Sequence, residues 1–396
     1  MPRWLLPEGI CDILPNEARR IEELRRRLLD LYRSYGYELV MPPLIEYLDS
    51  LLTGSGHDLD LSTFKLIDQL SGKTMGVRAD ITPQVARIDA HLLGRAGVVR
   101  LSYSGSVLHT RPALPLSTRE PLQVGAELYG HAGLEADFEI IDLLMHSLRV
   151  VGVGRARLDL GHVGIVQHLL TKVGAAMPDL DPEELLPLIQ SKDVPGLRRL
   201  LQPLSDLALS QAVIALPGLF GEAGAVLSRA RAVLPDDPVI RQALSQLEHL
   251  ALARDAQAGR GIEVELTLDL GDARGYRYHS GVIFAAYVDG CAAALGRGGR
   301  YDNVGAAFGR SRAATGFSLE LRDLAALLPE PEPVVAIRAP WSLDAALQTE
   351  IARLRACGEI VVQALPGHED EHQEFECDRE LVLSPSGWVA QSTRRS

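Results

Sequence analysis

Cysteine is scarce: the 396-residue chain has four, Cys11, Cys291, Cys357 and Cys377, and no CxxC pair. Structural zinc needs clustered ligands and a disulfide framework needs density, so neither is expected. The thiols read as those of a protein kept in the reducing cytoplasm. Long apolar runs are also missing, and no stretch reaches the roughly 18–20 residues of a bilayer-spanning helix. The opening Met1-Pro2-Arg3-Trp4-Leu5-Leu6-Pro7-Glu8 lacks the apolar core of a secretory signal, since proline and acid interrupt it. An excess of positive charge is absent too: 40 Lys and Arg against 52 Asp and Glu leave a net −12. A nucleic-acid binder gains much of its affinity by neutralising phosphates. The balance therefore leans against a large tRNA footprint, although a local basic groove can sit inside an acidic total.

What is present is 46% hydrophobic and 23% charged residues, enough for a large core. The spacing of Ile21, Leu24, Leu28, Leu31 and Tyr32 predicts a helix over Glu17–Tyr35, with the Arg and Glu run as its solvated face. Pro42-Pro43 ends any helix. Strands are expected at Phe64–Ile67, Thr74–Val77, Val98–Leu108 and Pro121–Tyr129, and helices at Gln84–Leu93 and Phe138–Val150. Strands that return without βαβ spacing imply a mainly antiparallel sheet in an α+β domain.

Residues from about 162 to 258 are rich in Leu and Ala at helical spacing, broken at Pro182, Pro217 and Pro238, and read as a helical insertion. Sheet resumes at Ile262–Leu270, Val282–Val288 and Ala292–Leu295, before a helix near Glu320–Leu328. Pro329-Glu330-Pro331-Glu332-Pro333 reads as a stiff linker. The chain is thus expected to divide into a core over 1–328 and a small C-terminal α/β domain over 334–396. That domain should hold a strand at Val334–Ile337, a helix at Leu343–Ala356 and strands at Ile360–Leu365, Glu380–Leu383 and Trp388–Ala390. Its acidic tract contains His368-Glu369-Asp370-Glu371-His372, formally an HExxH pattern. Zinc chemistry needs both His on one face of a buried helix with a third ligand. Here Pro366-Gly367 precedes the first His and only acids intervene, so a solvated loop without metal is expected.

Four segments are candidates for chemistry. In Arg78-Ala79-Asp80-Ile81-Thr82-Pro83-Gln84 a strand ends, and Thr82-Pro83 reads as an N-cap followed by proline at the first helical position. The Asp80 and Thr82 oxygens then meet at a strand-to-helix corner, where they either cap the helix or hold a ligand ammonium. In Gln123-Val124-Gly125-Ala126-Glu127, Gln123 and Glu127 share one strand face with Gly125 between them. A glycine there leaves room over the sheet, and an amide with a carboxylate suits a polar amino acid; a solvent-facing strand would read the same way. Arg274-Gly275-Tyr276-Arg277-Tyr278-His279-Ser280-Gly281 joins a cation, two aromatics and an imidazole in a tight turn before a strand. Gly296-Arg297-Gly298-Gly299-Arg300-Tyr301-Asp302 fits neither a P-loop nor the dinucleotide fingerprint. Its glycines suit a close crossing of two backbones.

Together these segments resemble the histidyl-tRNA synthetases, a family of class II aminoacyl-tRNA synthetases. Arg274 to Phe284 is similar to their first histidine signature (RGLDYY…TVF), and Gly298 to Asp302 (GGRYD) matches the second. Tyr35 to Pro43 resembles class II motif 1, and Gly9 to Pro15 the N-terminal G…D.LP signature. The likeness runs with gaps from about residue 7 to 328. It implies an α+β fold with a class II synthetase-like antiparallel sheet flanked by helices. It also implies that Asp80, Thr82, Gln123, Glu127, Arg274, Tyr278 and His279 fall where the family contacts histidine. The carboxylates and Gln123 would hold the ammonium and imidazole, and the aromatic turn would close over the ring. Asp80 stands where the family has Glu, and His279 where it has Tyr.

The parts that would activate ATP depart from the family. Motif 2 should read F-R-x-E, and in neither register of Val107-Leu108-His109-Thr110-Arg111-Pro112 do both Arg and Glu survive. Motif 3 should read G-F-x-x-G-x-E-R, but Gly316-Phe317-Ser318-Leu319-Glu320-Leu321-Arg322-Asp323 sets Glu320 on the glycine and Asp323 on the arginine. Losing one preorganised donor costs about 2.7–4 kcal/mol, so two additive losses would slow adenylation by roughly 10⁴–10⁶-fold. Arg322 slipping into place is the loophole. The C-terminal domain is also short and acidic for an anticodon-binding domain.

That pattern is similar to one branch of the family, the synthetase-like regulatory subunits of ATP phosphoribosyltransferase, and Arg78 to Arg87 (RADITPQVAR) fits it better than the synthetase pattern RPEGT. The branch implies no catalytic residue, no cofactor and no metal. It implies a homodimer through motif 1, a separate short-form catalytic subunit as partner, L-histidine as effector, and neither tRNA nor membrane. No acidic pair followed by a TG-type phosphate loop for phosphoribosyl pyrophosphate occurs in the chain. Two other readings compete: a divergent active histidyl-tRNA synthetase, revealed by histidine-dependent ATP–pyrophosphate exchange, and another synthetase-like module such as an RNA-binding sensor, revealed by salt-sensitive tRNA binding.

Overall fold

Proline at the first position of a helix removes an N–H that would have no partner there, and Pro15 opens the first helix, Pro15–Ser34. Its apolar stripe buries Ile21, Leu24, Leu28 and Tyr32 and leaves the Arg side exposed. Gly36, at φ +85°, then reverses the chain into the short strand Glu38–Leu39. The computed structural model describes residues 4–53, 57–112, 117–255, 261–291, 293–328, 334–368 and 375–393. The expected linker 329–333 and residues 369–372 of the HExxH tract lie outside these.

The first of two units, Met1–Leu328, is built on a nine-stranded sheet. In spatial order its strands are Glu38–Leu39, Val99–Ser106, Leu122–Tyr129, Ala314–Glu320, Gly296–Arg300, Val282–Tyr287, Arg155–His162, Glu263–Asp269 and Phe220–Glu222. The Glu38 and Val99 strands run parallel, as do Arg155 and Glu263; every other pair is antiparallel. This is the mainly antiparallel α+β arrangement expected. A side antiparallel sheet joins Ile45–Tyr47, Thr74–Val77 and Phe64–Ile67.

The pleat sorts the central strands by face. Val124, Ala126, Leu128, Phe317 and Leu319 turn to one side and bury with Ile140, Leu143, Leu144 and Leu148 of the helix Leu134–Val150. Tyr32 meets Phe317 edge-on there, at 5.9 Å between ring centres. The opposite face carries Glu127, Gly316 and Gly299 in one row across three strands.

Three expectations need correction. Of the strand expected at Ala292–Leu295, residue 292 lies outside the described residues and 293–295 are not strand; the strand is Gly296–Arg300, the glycine run itself. A Cβ on Gly298 would fall 2.5 Å from the Phe284 ring and 2.1 Å from the Gly316 carbonyl oxygen, so packing overrides low strand propensity here. The helix expected over Gln84–Leu93 is an α-helical turn, Thr82–Arg87, followed by a wider π-helical turn, Ile88–Leu93. Among its described residues, the region read as a helical insertion holds six α-helices and also the strand Phe220–Glu222, which extends the main sheet. Leu169, Val213, Val226 and Leu247 of this region share one hydrophobic core with Leu143 and Phe317.

The second unit, Pro329–Ser396, has a four-stranded sheet ordered Val361–Ala364, Val335–Pro340, Glu376–Ser384, Gly387–Ser392. The helix Ala345–Ala356, capped by Asp344, packs Leu347, Ile351 and Leu354 against Ile337, Ala339, Val361 and Leu381. Among the described residues no helix is long and apolar enough to cross a membrane.

Candidate ligand-binding site

A cavity of about 330 Å³ opens on the Glu127 face of the sheet. Its floor comes from strand alternation: Glu127, Gly316 and Gly299 lie side by side, with Ser318 and Arg297 two residues further along their strands. Gly316 is required by its neighbour, since a Cβ there would sit 1.5 Å from Glu127 Oε2. The corner Asp80–Thr82 forms one wall, and Asp272, Arg274, Tyr278 and His279 of the turn before the Val282 strand form the other.

Six of the seven residues expected to meet a ligand therefore line one cavity: Asp80, Thr82, Glu127, Arg274, Tyr278 and His279. Gln123 does not. Its Oε1 accepts from the Ile81 N–H at 3.2 Å and its side chain steadies the Asp80 carboxyl, so it positions the corner from behind. Thr82 is not the N-cap; that place falls to Ile81. The Thr82 hydroxyl instead donates to Glu127 Oε1 at 3.1 Å, while its N–H donates to Asp80 Oδ1 at 3.3 Å. The space above Gly125 is filled by the Tyr103 ring, 2.5 Å from where a Cβ would stand. That glycine makes room for a tyrosine.

Glu127 is the most confined acid in the site. It is 1% exposed and accepts from Thr82, from Tyr103 at 3.2 Å, and from the Tyr301 hydroxyl on its other oxygen. Burial nevertheless raises its pKa to about 8; the Tyr301 hydrogen bond works against the shift and the charge of Asp80 adds to it. Asp80 is raised by burial too, opposed by the Thr82 and Ile81 N–H groups and by Gln123. Burial lowers His279 to about 4, so its ring is neutral at pH 7.

The aromatic turn is pinned from several sides. Tyr278 stacks on Tyr301 at 5.1 Å and meets His279 edge-on at 5.1 Å. Gln167 donates to the carbonyls of Tyr276 at 2.7 Å and His279 at 3.1 Å, and Arg277 pairs with Glu183. The Tyr278 hydroxyl is shielded from solvent and has no hydrogen-bond partner among the described residues. Such a group costs free energy until something occupies the space it faces. Sequence reasoning missed Tyr103, Tyr301, Asp272, Arg297 and Ser318. Strand parity opposite Gly125 could have flagged Tyr103; the others become neighbours only once the strand order is known.

Gly316, Phe317 and Ser318 at the start of the motif 3 segment line the cavity, whereas its Leu319–Asp323 end and the motif 2 segment do not. Glu320 caps the helix Leu321–Leu327, accepting from the N–H groups of Arg322 and Asp323 at 3.2 Å each and of Leu122 at 2.7 Å. Arg322 Nη1 donates to the Thr118 hydroxyl at 3.3 Å and approaches Cys11 Sγ at 3.6 Å. Asp323 and Arg111 are exposed. His109 is turned to the Ala79 carbonyl at 2.9 Å. Among the described residues, no group of three or more His, Cys, Asp or Glu is placed to hold a metal ion.

The fold is that of the histidyl-tRNA synthetases, and residues 9–324 match the family model described as histidyl-tRNA synthetase. Residues 334–391 match the ATP phosphoribosyltransferase subunit HisZ C-terminal domain. A curated relative from Ralstonia nicotianae, an ATP phosphoribosyltransferase regulatory subunit, is 58% identical over the whole of both chains. Another of that name from Cupriavidus metallidurans is 58% identical over 98% of each. A crystal structure described as an ATP phosphoribosyltransferase regulatory subunit/histidyl-tRNA synthetase from Bacillus halodurans superposes with a TM-score of 0.78 at 27% identity, covering 91% of this chain and 92% of that one. Histidyl-tRNA synthetase from Nostoc shares the fold at a TM-score of 0.74 and 17% identity, over 99% of this chain and 97% of its own. The chain belongs to the family of ATP phosphoribosyltransferase regulatory subunits, a branch built on the synthetase fold.

Proposed function

We propose that this chain is the non-catalytic, histidine-sensing subunit that supports a separate short-form ATP phosphoribosyltransferase in the first step of histidine biosynthesis. The observation that carries this reading is the pairing of an intact polar cavity with a motif 3 segment turned inward on itself. Asp80, Thr82 and Glu127 line the cavity together and would receive the positive groups of a ligand, while Arg274 and Arg297 also line it and make part of it basic. A zwitterionic amino acid with a hydrogen-bonding ring fits that polarity. A synthetase would need unpaired donors over the α-phosphate; instead Glu320 takes up the backbone donors at the start of its helix, and Arg322 points to Thr118.

Asp80, Thr82, Glu127, Tyr278 and His279 would contact the ligand in this reading, with Arg274 lining the cavity beside them and Gln123 holding the corner. A homodimer through motif 1 is supported by exposed Leu39, Met41, Leu44, Ile45 and Tyr47, a run of apolar side chains that a partner copy would cover. The division at 329–333 belongs to the same reading, with a core that senses and a small second domain. Feedback requires histidine to bind two states of the assembly unequally.

The test is reconstitution. The purified chain, mixed with a short-form catalytic subunit, should raise phosphoribosyl transfer from phosphoribosyl pyrophosphate to ATP, and L-histidine should suppress that gain. No stimulation of the catalytic subunit would overturn the proposal.

A further inference from the structure

The proposed ligand carries two opposite charges, and the two cations at the basic end of the cavity are not equivalent. Arg274 is committed elsewhere. Its Nε lies 2.9 and 3.0 Å from the two Asp272 oxygens, its Nη2 donates to Asp272 Oδ2 at 2.5 Å, and its Nη1 donates to the Tyr287 hydroxyl at 3.2 Å. A bidentate carboxylate already satisfies that fork. Arg297 also lines the cavity, yet its guanidinium makes no hydrogen bond or ion pair with any described residue. Two guanidinium groups at one wall with a single carboxylate between them leave one positive charge uncompensated until an anion arrives.

The register places Arg297 suitably. It pairs with Ser318, two residues along from the Gly299–Gly316–Glu127 row, and points to the same face. Strand spacing of about 4.8 Å and a rise of about 3.4 Å per residue separate the Glu127 and Arg297 Cα atoms by roughly 12 Å. The two side chains, reaching in from opposite ends, close that span onto one amino acid. The intervening floor of Gly299, Gly316 and Ser318 presents nothing bulky.

We infer that Arg297, rather than Arg274, holds the ligand's carboxylate and makes the cavity select an α-amino acid over an amine bearing the same ring. This rests on the reading of the cavity as a histidine site. Arg274 is then a positioning residue that keeps Asp272 neutralised, so that Asp272 does not capture Arg297.

The experiment is calorimetric titration of the full chain with L-histidine and with histamine, which lacks only the carboxylate. The wild type should bind histidine at least about tenfold more tightly. Arg297→Gln should lower histidine affinity about ten- to a hundredfold, the loss expected of one charge-assisted contact, and leave histamine within about twofold. Arg297→Lys should recover part of the loss, whereas Arg274→Lys, which keeps Asp272 paired, should preserve the histidine-to-histamine ratio. Unchanged histidine affinity in Arg297→Gln overturns the inference, as does an equal loss for both ligands. A wild-type chain that binds neither ligand removes the histidine reading, and the inference falls with it.

Discussion

Glu127 should make histidine binding depend on pH in one direction. Burial raises its carboxyl to about 8, so at pH 7 about nine-tenths of the molecules carry a proton there. A ligand that presents an ammonium or imidazole N–H to a carboxylate must expel that proton, at a cost of about 1.4 kcal/mol at pH 7. The cost disappears as pH rises through the folded pKa. Affinity for L-histidine should therefore rise roughly eightfold between pH 7.0 and 8.5, the ratio of ionised fractions for a group at about 8. Close to one proton should leave per ligand at pH 7. Calorimetry in buffers of different ionisation enthalpy reads both quantities. Glu127→Gln should bind weakly, flatten the profile and abolish proton release. The same variant tests the sign for stability: a raised carboxyl contributes stability that is fully present below about 4.5 and is lost as pH rises through about 8. The ligand-free Gln variant should thus gain most over wild type at pH 8.5. A flat affinity profile with no buffer-dependent enthalpy would refute the reasoning.

Gly316→Ala should leave the sheet folded by circular dichroism but lower histidine affinity at least about a hundredfold, because its Cβ would stand 1.5 Å from Glu127 Oε2 and displace that carboxyl. Arg300 is buried against Asp137, with Nη2 donating to Oδ2 at 2.7 Å; Arg300→Met would strand a buried acid and should cost about 3–5 kcal/mol in denaturant unfolding, and a loss below about 1 kcal/mol would contradict that. Met41 is 83% exposed in the apolar run proposed to pair two copies; on that proposal Met41→Asp with Ile45→Asp should yield a monomer in sedimentation equilibrium where the wild type is a dimer.

Much of the frame is legible because periodicity reports it directly. Ile21, Leu24, Leu28 and Tyr32 mark the first helix as plainly in the sequence as in the core. Glu127 could be picked out by alternation along its strand, and Tyr278 and His279 by their place in a turn. Other features depend on what lies opposite. Thr82-Pro83 reads as a cap by local rules, but the hydroxyl is claimed by a carboxylate 45 residues away. Gln123 shares a face with Glu127 yet ends beneath the Ile81 N–H. The Gly296–Arg300 run reads as a close crossing of two backbones rather than as a strand because glycine is a poor strand former; only the Phe284 ring and the Gly316 carbonyl explain why Gly298 must lack a side chain. Arg297 passed unnoticed for the same reason, one cation inside a glycine run with its meaning on the neighbouring strands.

The central claim is that the chain recognises histidine without activating it. On one preparation, equilibrium binding of radiolabelled L-histidine and histidine-dependent ATP–pyrophosphate exchange measure the two halves together. Saturable binding with no exchange above background is the expected result. Exchange at synthetase-like rates, abolished by Arg322→Ala or Arg111→Ala, would contradict it.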